Sequence, residues 1–431
     1  MQFCVAPAAK LHIAYVVPRF FFAFFISKII SCFVIKIKLY ICIMVKGFRY
    51  RIYPNKEQEQ QLNQMLGNAR FVYNWALDRR IKEYQAEKKS VSAFTLMTEL
   101  TQLKKQPEYD WLKLSVAQSL QQSIVNMDKA FTRFFKQKKG FPKFKSKHKG
   151  THRVGFPQNT KVDFENSKVS VNKIGWLKTK ISRNFDGKIK TATIEKTPTG
   201  KFFISITVEL PDVKVKQKPI SKNNAVGIDT GIKTFATLSD GTEIENPKHL
   251  KSSIQRLKVL QKRASKKQKG SANRKKANLK VALLHEKISN QRLDFLHKTT
   301  TAIAKQYDTV ACENLNISGM MRNHKLAQSI ADLGLGRFYT LLQYKMQEQG
   351  GNYLEIGRFE PSSKMCGCGI INKDLKLSDR TWVCTSCGTI NERDVLAANN
   401  ILKFALNPKN KSGQVLSDEP METLALVRSV K

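Results

Sequence analysis

The sequence predicts a multidomain α/β protein, on three observations. Residues 46–53 alternate as a short strand, a long helical block follows, and strand character returns over 153–210, so helices interrupt a β unit. From Lys222 onward apolar strands alternate with helical segments, the pattern of an α/β unit. Ahead of a last helical segment, "KMCGCGIINKDLKLSDRTWVCTSCG" (364–388) sets four cysteines in two close pairs, the layout of a zinc ribbon. At 431 residues the chain has room for two or three domains with real cores.

In chain order, residues 1–43 stand apart. "FFFAFFISKIISCFVIKIKLYICI" is interrupted by Lys28 within its apolar run from Phe20 to Ile35, which is shorter than the roughly 20 residues that span a bilayer. It reads as translated upstream sequence ahead of a start at Met44, with a membrane anchor as the alternative. Pro54-Asn55 then closes the first strand. "EQQLNQMLGNARFVYNWALDRRIKEYQ" repeats apolar residues at helical spacing, with Arg70, Arg79, Arg80 and Lys82 on the other face. "FFKQKKGFPKFKSKHKG" interleaves Phe134, Phe135, Phe141 and Phe144 with Lys136, Lys138, Lys139, Lys143, Lys145 and Lys147. That composition suits a groove that tracks a nucleic-acid backbone while rings stack on bases. "KIKTATIEKTPTGKFFISITVEL" is a hairpin around Pro198-Thr199-Gly200. Residues 249–305 form a very basic helical pair, broken near "KKQKGSANRKK", which carries Arg274, Lys275 and Lys276.

Lys+Arg number 75 against 34 Asp+Glu, a formal net charge of +41. Such a surplus opposes compaction unless polyanions neutralise it, and it excludes an ordinary small-molecule enzyme in favour of a nucleic-acid binder. Of eight cysteines, Cys4, Cys32 and Cys42 fall in the first 43 residues, Cys312 is alone, and Cys366, Cys368, Cys384 and Cys387 form the paired cluster. This is metal-site usage in a reducing compartment rather than a disulfide framework.

In so basic a chain, carboxylates at element ends stand out. Asp229 ends the first strand of "NAVGIDTGIKTFATLSDG", Glu313 ends the strand in "YDTVACENLNISGM", and Asp394 opens the helix of "NERDVLAANNILKFAL". Each alone could be a turn, surface or capping residue. In this order they make the ribonuclease-H-type arrangement, where two strand-end acids and one helix-start acid converge. Such a cluster holds two divalent ions about 4 Å apart for phosphodiester cleavage, and all-oxygen ligands suit Mg²⁺ or Mn²⁺.

"RYRIYPNKEQ", "GNARFVYNWAL", "GFPKFKSK", "GIDTGIKTFATLSDG", "CENLNISGMMRNHKLAQSIAD", "PSSKMCGCG", "TWVCTSCG" and "ERDVLAANNI" occur in that order. Over roughly residues 44–405 the chain thereby resembles the TnpB family of insertion-sequence proteins, relatives of compact type V CRISPR effectors. The resemblance implies an RNA-guided DNA endonuclease. It implies a RuvC-like nuclease of ribonuclease-H type with a zinc-ribbon insertion, plus an N-terminal β-barrel (wedge) domain interrupted by a helical recognition lobe. Mapped here, 44–57 is the first wedge strand, 58–148 the recognition lobe, 149–220 the wedge barrel, 221–358 the nuclease, 359–392 the ribbon, 393–405 the final nuclease helix and 406–431 a tail. The implied catalytic acids are Asp229, Glu313 and Asp394, holding Mg²⁺ (or Mn²⁺). The implied partners are a guide RNA from the element's own transcript and double-stranded target DNA with a short adjacent motif, in a monomeric cytoplasmic particle near the nucleoid, without a membrane. Base pairing then reads sequence while protein reads backbone and shape.

Two departures from that pattern carry expectations. Cys366 and Cys368 have one residue between them where two are usual, and an extended chain would throw their side chains to opposite faces. Gly367 and Gly369 permit a rescue by unusual dihedrals, so the sequence predicts a ribbon that forms but holds zinc less tightly. Leu396 occupies a position where the family has Asn, and Asn391-Glu392 replace His-Asp, which predicts slower cleavage. The competing functions are therefore a guided nuclease, a weakened nucleic-acid-binding regulator, and a transposase that itself joins DNA ends. Whichever holds, RNA affinity should fall steeply with salt, by about 0.7 in the log–log slope per neutralised phosphate. A flat response in a filter-binding titration would contradict the charge reading.

Overall fold

Strand β1 (Val45–Tyr53) buries Phe48, Tyr50 and Ile52 and turns Arg49 and Arg51 outward, the period of two expected for a sheet with one packed face. The computed structural model describes residues 45–147, 152–211, 215–376 and 378–407, so the readings of residues 1–43 and of the tail beyond 407 lie outside it. After β1, Asn55 caps helix α1 (Lys56–Glu87) in a reciprocal capping box with Gln58. Helix α2 (Ala93–Leu103) and, after a 3₁₀ stretch at Pro107–Leu114, helix α3 (Ala117–Gln137) complete the helical block. Val72, Leu77, Leu96, Leu112, Leu120 and Ile124 form its core.

The chain then returns to the sheet through β2 (His152–Phe156), β3 (Lys161–Asp163), β4 (Lys168–Val171), β5 (Gly175–Lys180), β6 (Lys188–Lys196) and β7 (Phe202–Glu209). The order β2-β6-β7-β1-β5-β4-β3 puts β1 in the middle although the helical block separates it from its partners in sequence. The expected barrel corresponds to this seven-stranded sheet, whose edge strands β2 and β3 share no ladder among the described residues. Leu62, Met65 and Leu66 of α1 pack on its buried face, anchoring the helical block to the sheet.

A second sheet follows. β8 (Ala225–Thr230), β9 (Thr234–Leu238) and β10 (Glu243–Glu245) precede the basic pair α4 (His249–Ser265) and α5 (Ala272–Gln306). β11 (Thr309–Glu313), a helical turn at Ile317–Met320, α6 (Ala327–Leu333), α7 (Leu335–Glu348) and β12 (Asn352–Ile356) complete the order β10-β9-β8-β11-β12. β8 runs antiparallel to β9 and parallel to β11, and β11 runs parallel to β12. Val226, Ile228, Val310 and Cys312 face α5 and α7. The ribbon strands β13 (Thr381–Val383) and β14 (Ile390–Glu392) then lead into α8 (Arg393–Ala405), which covers the opposite face with Ala311, Leu354, Ile356 and Ile401. No helix among the described residues is long and apolar enough to cross a membrane.

Gly227 sets how closely α8 lies on β8. A Cβ there would stand 2.0 Å from the main-chain oxygen of Ala398 and 2.9 Å from the nitrogen of Leu402, both backbone atoms that cannot rotate away. Gly227→Ala should therefore lift α8 and destabilise the protein by about 3 kcal/mol, measured from the denaturant midpoint. Gly140→Ala, where an added Cβ meets nothing within 4 Å, should leave it unchanged.

Candidate functional site

Ile228 pairs with Cys312 across the parallel β8–β11 ladder, so the next residues, Asp229 and Glu313, end adjacent strands on one face. That is the face on which Gly227 admits α8, and α8 carries Asp394 in its first turn. Burial first, and then the negative charges of Glu313 and Asp394, push the Asp229 carboxyl up to about 7, with Arg393 and the Thr230 N–H opposing. The three acids named from sequence are thus brought within electrostatic reach of one another. Two of the acids, Glu313 and Asp394, are also held by partners the sequence did not reveal, and the residue after Asp229 is anchored too. The Thr230 hydroxyl is hydrogen-bonded to the Tyr339 hydroxyl at 2.7 Å, Ser362 Oγ donates to Glu313 Oε1, and Arg380 Nη1 donates to both oxygens of Asp394 at 3.2 and 3.1 Å.

The four cysteines also converge: all four sulfurs lie within 4.8 Å of one another, with Cys366–Cys387 and Cys368–Cys384 each at 3.6 Å. Tetrahedral Zn–S bonds of about 2.3 Å set sulfurs roughly 3.8 Å apart, so the donor set fits zinc. The short knuckle is accommodated by a tighter turn. Gly388 N–H donates to Cys384 O in the regular knuckle, an i→i+4 turn, whereas Gly369 N–H donates to Cys366 O, an i→i+3 turn with one residue fewer. Both turns end on a glycine with positive φ, +70° at Gly388 and +95° at Gly369. The glycine rescue expected from the sequence takes the form of a hairpin closed by the Met365–Ile371 bridge, which holds Cys366 and Cys368 in place of an extended strand. Asn391 is buried and donates to Cys366 Sγ at 3.5 Å. Leu396 packs with Leu375 against Cys366, Trp382 and Cys384, so this departure seats α8 on the ribbon.

Among the basic residues, Lys136, Lys138, Lys139, Lys143, Lys147, Lys275 and Lys276 are exposed. Arg70 and Lys147 line a groove of 570 Å³ with Lys56, Glu59, Gln60, Asn63 and Gln64. Arg274 Nη1 donates to Lys267 O at 2.8 Å and closes the break between α4 and α5. Two readings are corrected. Arg80 does not join the open face: it is buried, donates to Val91 O at 2.9 Å, pairs with Asp128 at 2.8 Å and lies over the Phe131 ring. The Lys145 stem is accessible, but its ammonium sits 3.7 Å from the centre of the Tyr73 ring. Burial first and Arg153 second push that ammonium down to about 8. Phe131, Phe134, Phe135 and Phe141 pack edge-on or stacked against one another, leaving Phe135, Phe141 and Phe144 partly exposed.

The alternation in "RYRIY" hid a further basic row. Arg51 faces Phe203, Phe203 faces Glu195 and Glu195 faces Arg153 across four strands. Glu195, buried, accepts from Arg49 and Arg153 at 3.0 and 3.1 Å. Arg51 Nη1 is buried without a hydrogen-bond partner. Arg337 on α7 is pushed down by burial and by the charge of Arg49, so like charges crowd where the two sheets meet.

An interrupted first sheet, a mixed second sheet and a cysteine ribbon define a Cas12f1-like α/β architecture. A solved Cas12f1–sgRNA–target DNA complex matches at a TM-score of 0.54, covering 85% of this chain and 99% of that one, at 15% identity. Family models match in three places: "Probable transposase" at 205–324, "Helix-turn-helix domain" at 44–89, which here is strand β1 and helix α1, and "Cas12f1-like, TNB domain" at 336–401. A Streptomyces pristinaespiralis protein named "Putative RNA-guided DNA endonuclease" is 36% identical over 365 residues, 84% of this chain and 89% of its own. An Escherichia coli K12 protein, "Putative RNA-guided DNA endonuclease InsQ", is 32% identical over 400 residues, 88% and 98%. The chain belongs to the TnpB (OrfB, IS605-type) family of transposon proteins.

The basic residues can be sorted by experiment. Lys147→Met should lower the salt slope of RNA binding by about 0.7, whereas Lys145→Met should leave the slope unchanged and lower the melting temperature.

Proposed function

We propose that this protein is an RNA-guided DNA endonuclease that hydrolyses target phosphodiesters at Asp229, Glu313 and Asp394. The observation that supports the reading is the seating of α8 on β8, which puts Asp394 within electrostatic reach of Asp229 while burial, then the charges of Glu313 and Asp394, make Asp229 harder to ionise. A carboxyl pushed up by burial first and by neighbouring negative charge second fits a site made for cations. The three acids would hold Mg²⁺ or Mn²⁺, which supplies Lewis-acid polarisation of the scissile phosphodiester and neutralises charge on the leaving oxygen. The chain's own part is to hold the acids in register and admit a polyanion. Arg380 does not disqualify Asp394, because it is half exposed and an exposed pair is worth about 0–1 kcal/mol.

Around this centre, 44–57 and 149–220 serve as the wedge, 58–148 as the recognition lobe, and 221–358 with 393–405 as the RuvC-like nuclease. The ribbon, 359–392, holds one structural zinc through Cys366, Cys368, Cys384 and Cys387. A guide RNA from the element's own transcript occupies the basic surfaces, and the arginine crowding at Arg49, Arg51 and Arg337 supports that assignment, since phosphates would relieve it. The protein works as a monomeric cytoplasmic ribonucleoprotein on DNA bearing a short adjacent motif.

Asp229→Ala, Glu313→Ala and Asp394→Ala should each abolish Mg²⁺-dependent cleavage, by about 10³-fold or more on the scale of losing one charge-stabilising group, with RNA binding retained. Cleavage retained in any one would remove that residue from the centre. Zinc content of the purified full chain should be one per protein. Inserting a residue between Cys366 and Cys368 should not raise it, because the tighter turn already brings the sulfurs together.

A further inference from the structure

Glu313 ends a strand, where a carboxylate is free to sample several rotamers unless something fixes it. Here Ser362 Oγ donates to Oε1 at 2.5 Å, and no donor among the described residues reaches Oε2. Ser362 lies outside helix and strand, in the turn after β12, yet it is only 6% exposed. What fixes it is Asn400 on α8, 3% exposed, whose Nδ2 donates to the main-chain oxygens of Ser362 at 2.7 Å and Met365 at 2.6 Å. Both partners are carbonyl oxygens, which only accept, so the amide orientation is determined. Asn400 shares α8 with Asp394. Its second acceptor, Met365, immediately precedes the first cysteine of the ribbon.

We infer that Ser362 and Asn400 are positioning residues for Glu313. α8 supplies Asp394 directly, and through the Asn400 amide and the Ser362 hydroxyl it also orients the carboxylate on β11, keeping Oε2 open for a cation. One helix thereby sets the relative placement of two acids from different parts of the chain, and the root of the ribbon is tied into the same amide. Outer partners of this kind matter because a ligand's orientation governs metal affinity, and their loss costs roughly 10- to 100-fold. The inference rests on the reading of Glu313 as a cleavage-site acid.

The test uses the full chain purified with its co-expressed RNA, in four forms: unchanged, Ser362→Ala, Ser362→Thr and Glu313→Gln. Ser362→Ala should raise the Mg²⁺ concentration for half-maximal cleavage about 10- to 100-fold, with most of the rate recovered at saturating Mg²⁺. Mn²⁺ binding to the uncut complex, followed by electron paramagnetic resonance, should weaken by the same factor, while zinc content and melting temperature stay constant. Ser362→Thr keeps the hydroxyl and should restore both. If Glu313→Gln abolishes cleavage but Ser362→Ala leaves Mg²⁺ half-saturation and Mn²⁺ affinity within about twofold of the unchanged protein, the positioning role is overturned and the acid assignment stands. If Glu313→Gln cuts normally, the acid assignment itself falls and takes the positioning role with it. Loss of zinc or of thermal stability in Ser362→Ala, without rescue by Thr, would mark a purely structural turn and also overturn the inference.

Discussion

Everything at the acid end of the second sheet depends on a contact between two backbones, α8 against β8 at Gly227. No side chain fits there, because a methyl would meet Ala398 O at 2.0 Å. With the helix this close, Ala397, Ala398 and Ile401 become fully buried and α8 has no freedom to rotate. Its first turn then brings Asp394 within electrostatic reach of Asp229, and its next turns bring Asn400 against the segment leading to the ribbon. Leu396 locks the same helix to Trp382 and the cysteine cluster. A single close approach thus couples the acids, the ribbon and the sheet.

Charge imposes the opposite demand. The protein concentrates cations where the two sheets meet, and the carboxylates there are few. Glu195 is shared by Arg49 and Arg153, while Lys46–Glu348 and Lys201–Glu286, at 2.9 and 3.0 Å, bridge the first sheet to α7 and α5. Those pairs are partly exposed and contribute little in water. Arg51 stacks over Tyr53 and Phe203 but keeps a buried nitrogen without a hydrogen bond among the described residues, and Arg337 is pushed down by burial and by Arg49.

Much of this was legible in sequence because it depends on local pattern. The alternation of β1, the apolar run ending in Asp229, the cysteine pairs and the helix opening at Asp394 follow from periodicity and residue type alone. What escaped depends on distant partners. Arg80 reads as solvent-facing at helical spacing, yet α3 supplies Asp128 and Phe131 to receive it. Lys145 sits in a lysine run, yet Asn74 clasps its main chain and Tyr73 its ammonium. That the glycines would rescue the one-residue knuckle was legible, but not the form of the rescue, in which removing one residue converts an i→i+4 turn into an i→i+3 turn. Leu396 looked like a lost polar group, but its packing partners lie in the ribbon. Ser362 and Asn400 lie within the motifs "PSSKMCGCG" and "ERDVLAANNI", but neither spacing nor residue type ties them to Glu313.

The central claim is that α8 completes one cation centre with Asp229, Glu313 and Asp394. Its most direct test is anomalous scattering from crystals of the protein–RNA–DNA complex grown with Mn²⁺ and a non-hydrolysable target strand. The account predicts Mn²⁺ peaks ligated by oxygens of all three residues, with Arg380 withdrawn from Asp394. Mn²⁺ bound elsewhere on the chain, or bound with Asp394 still held by Arg380, would contradict it.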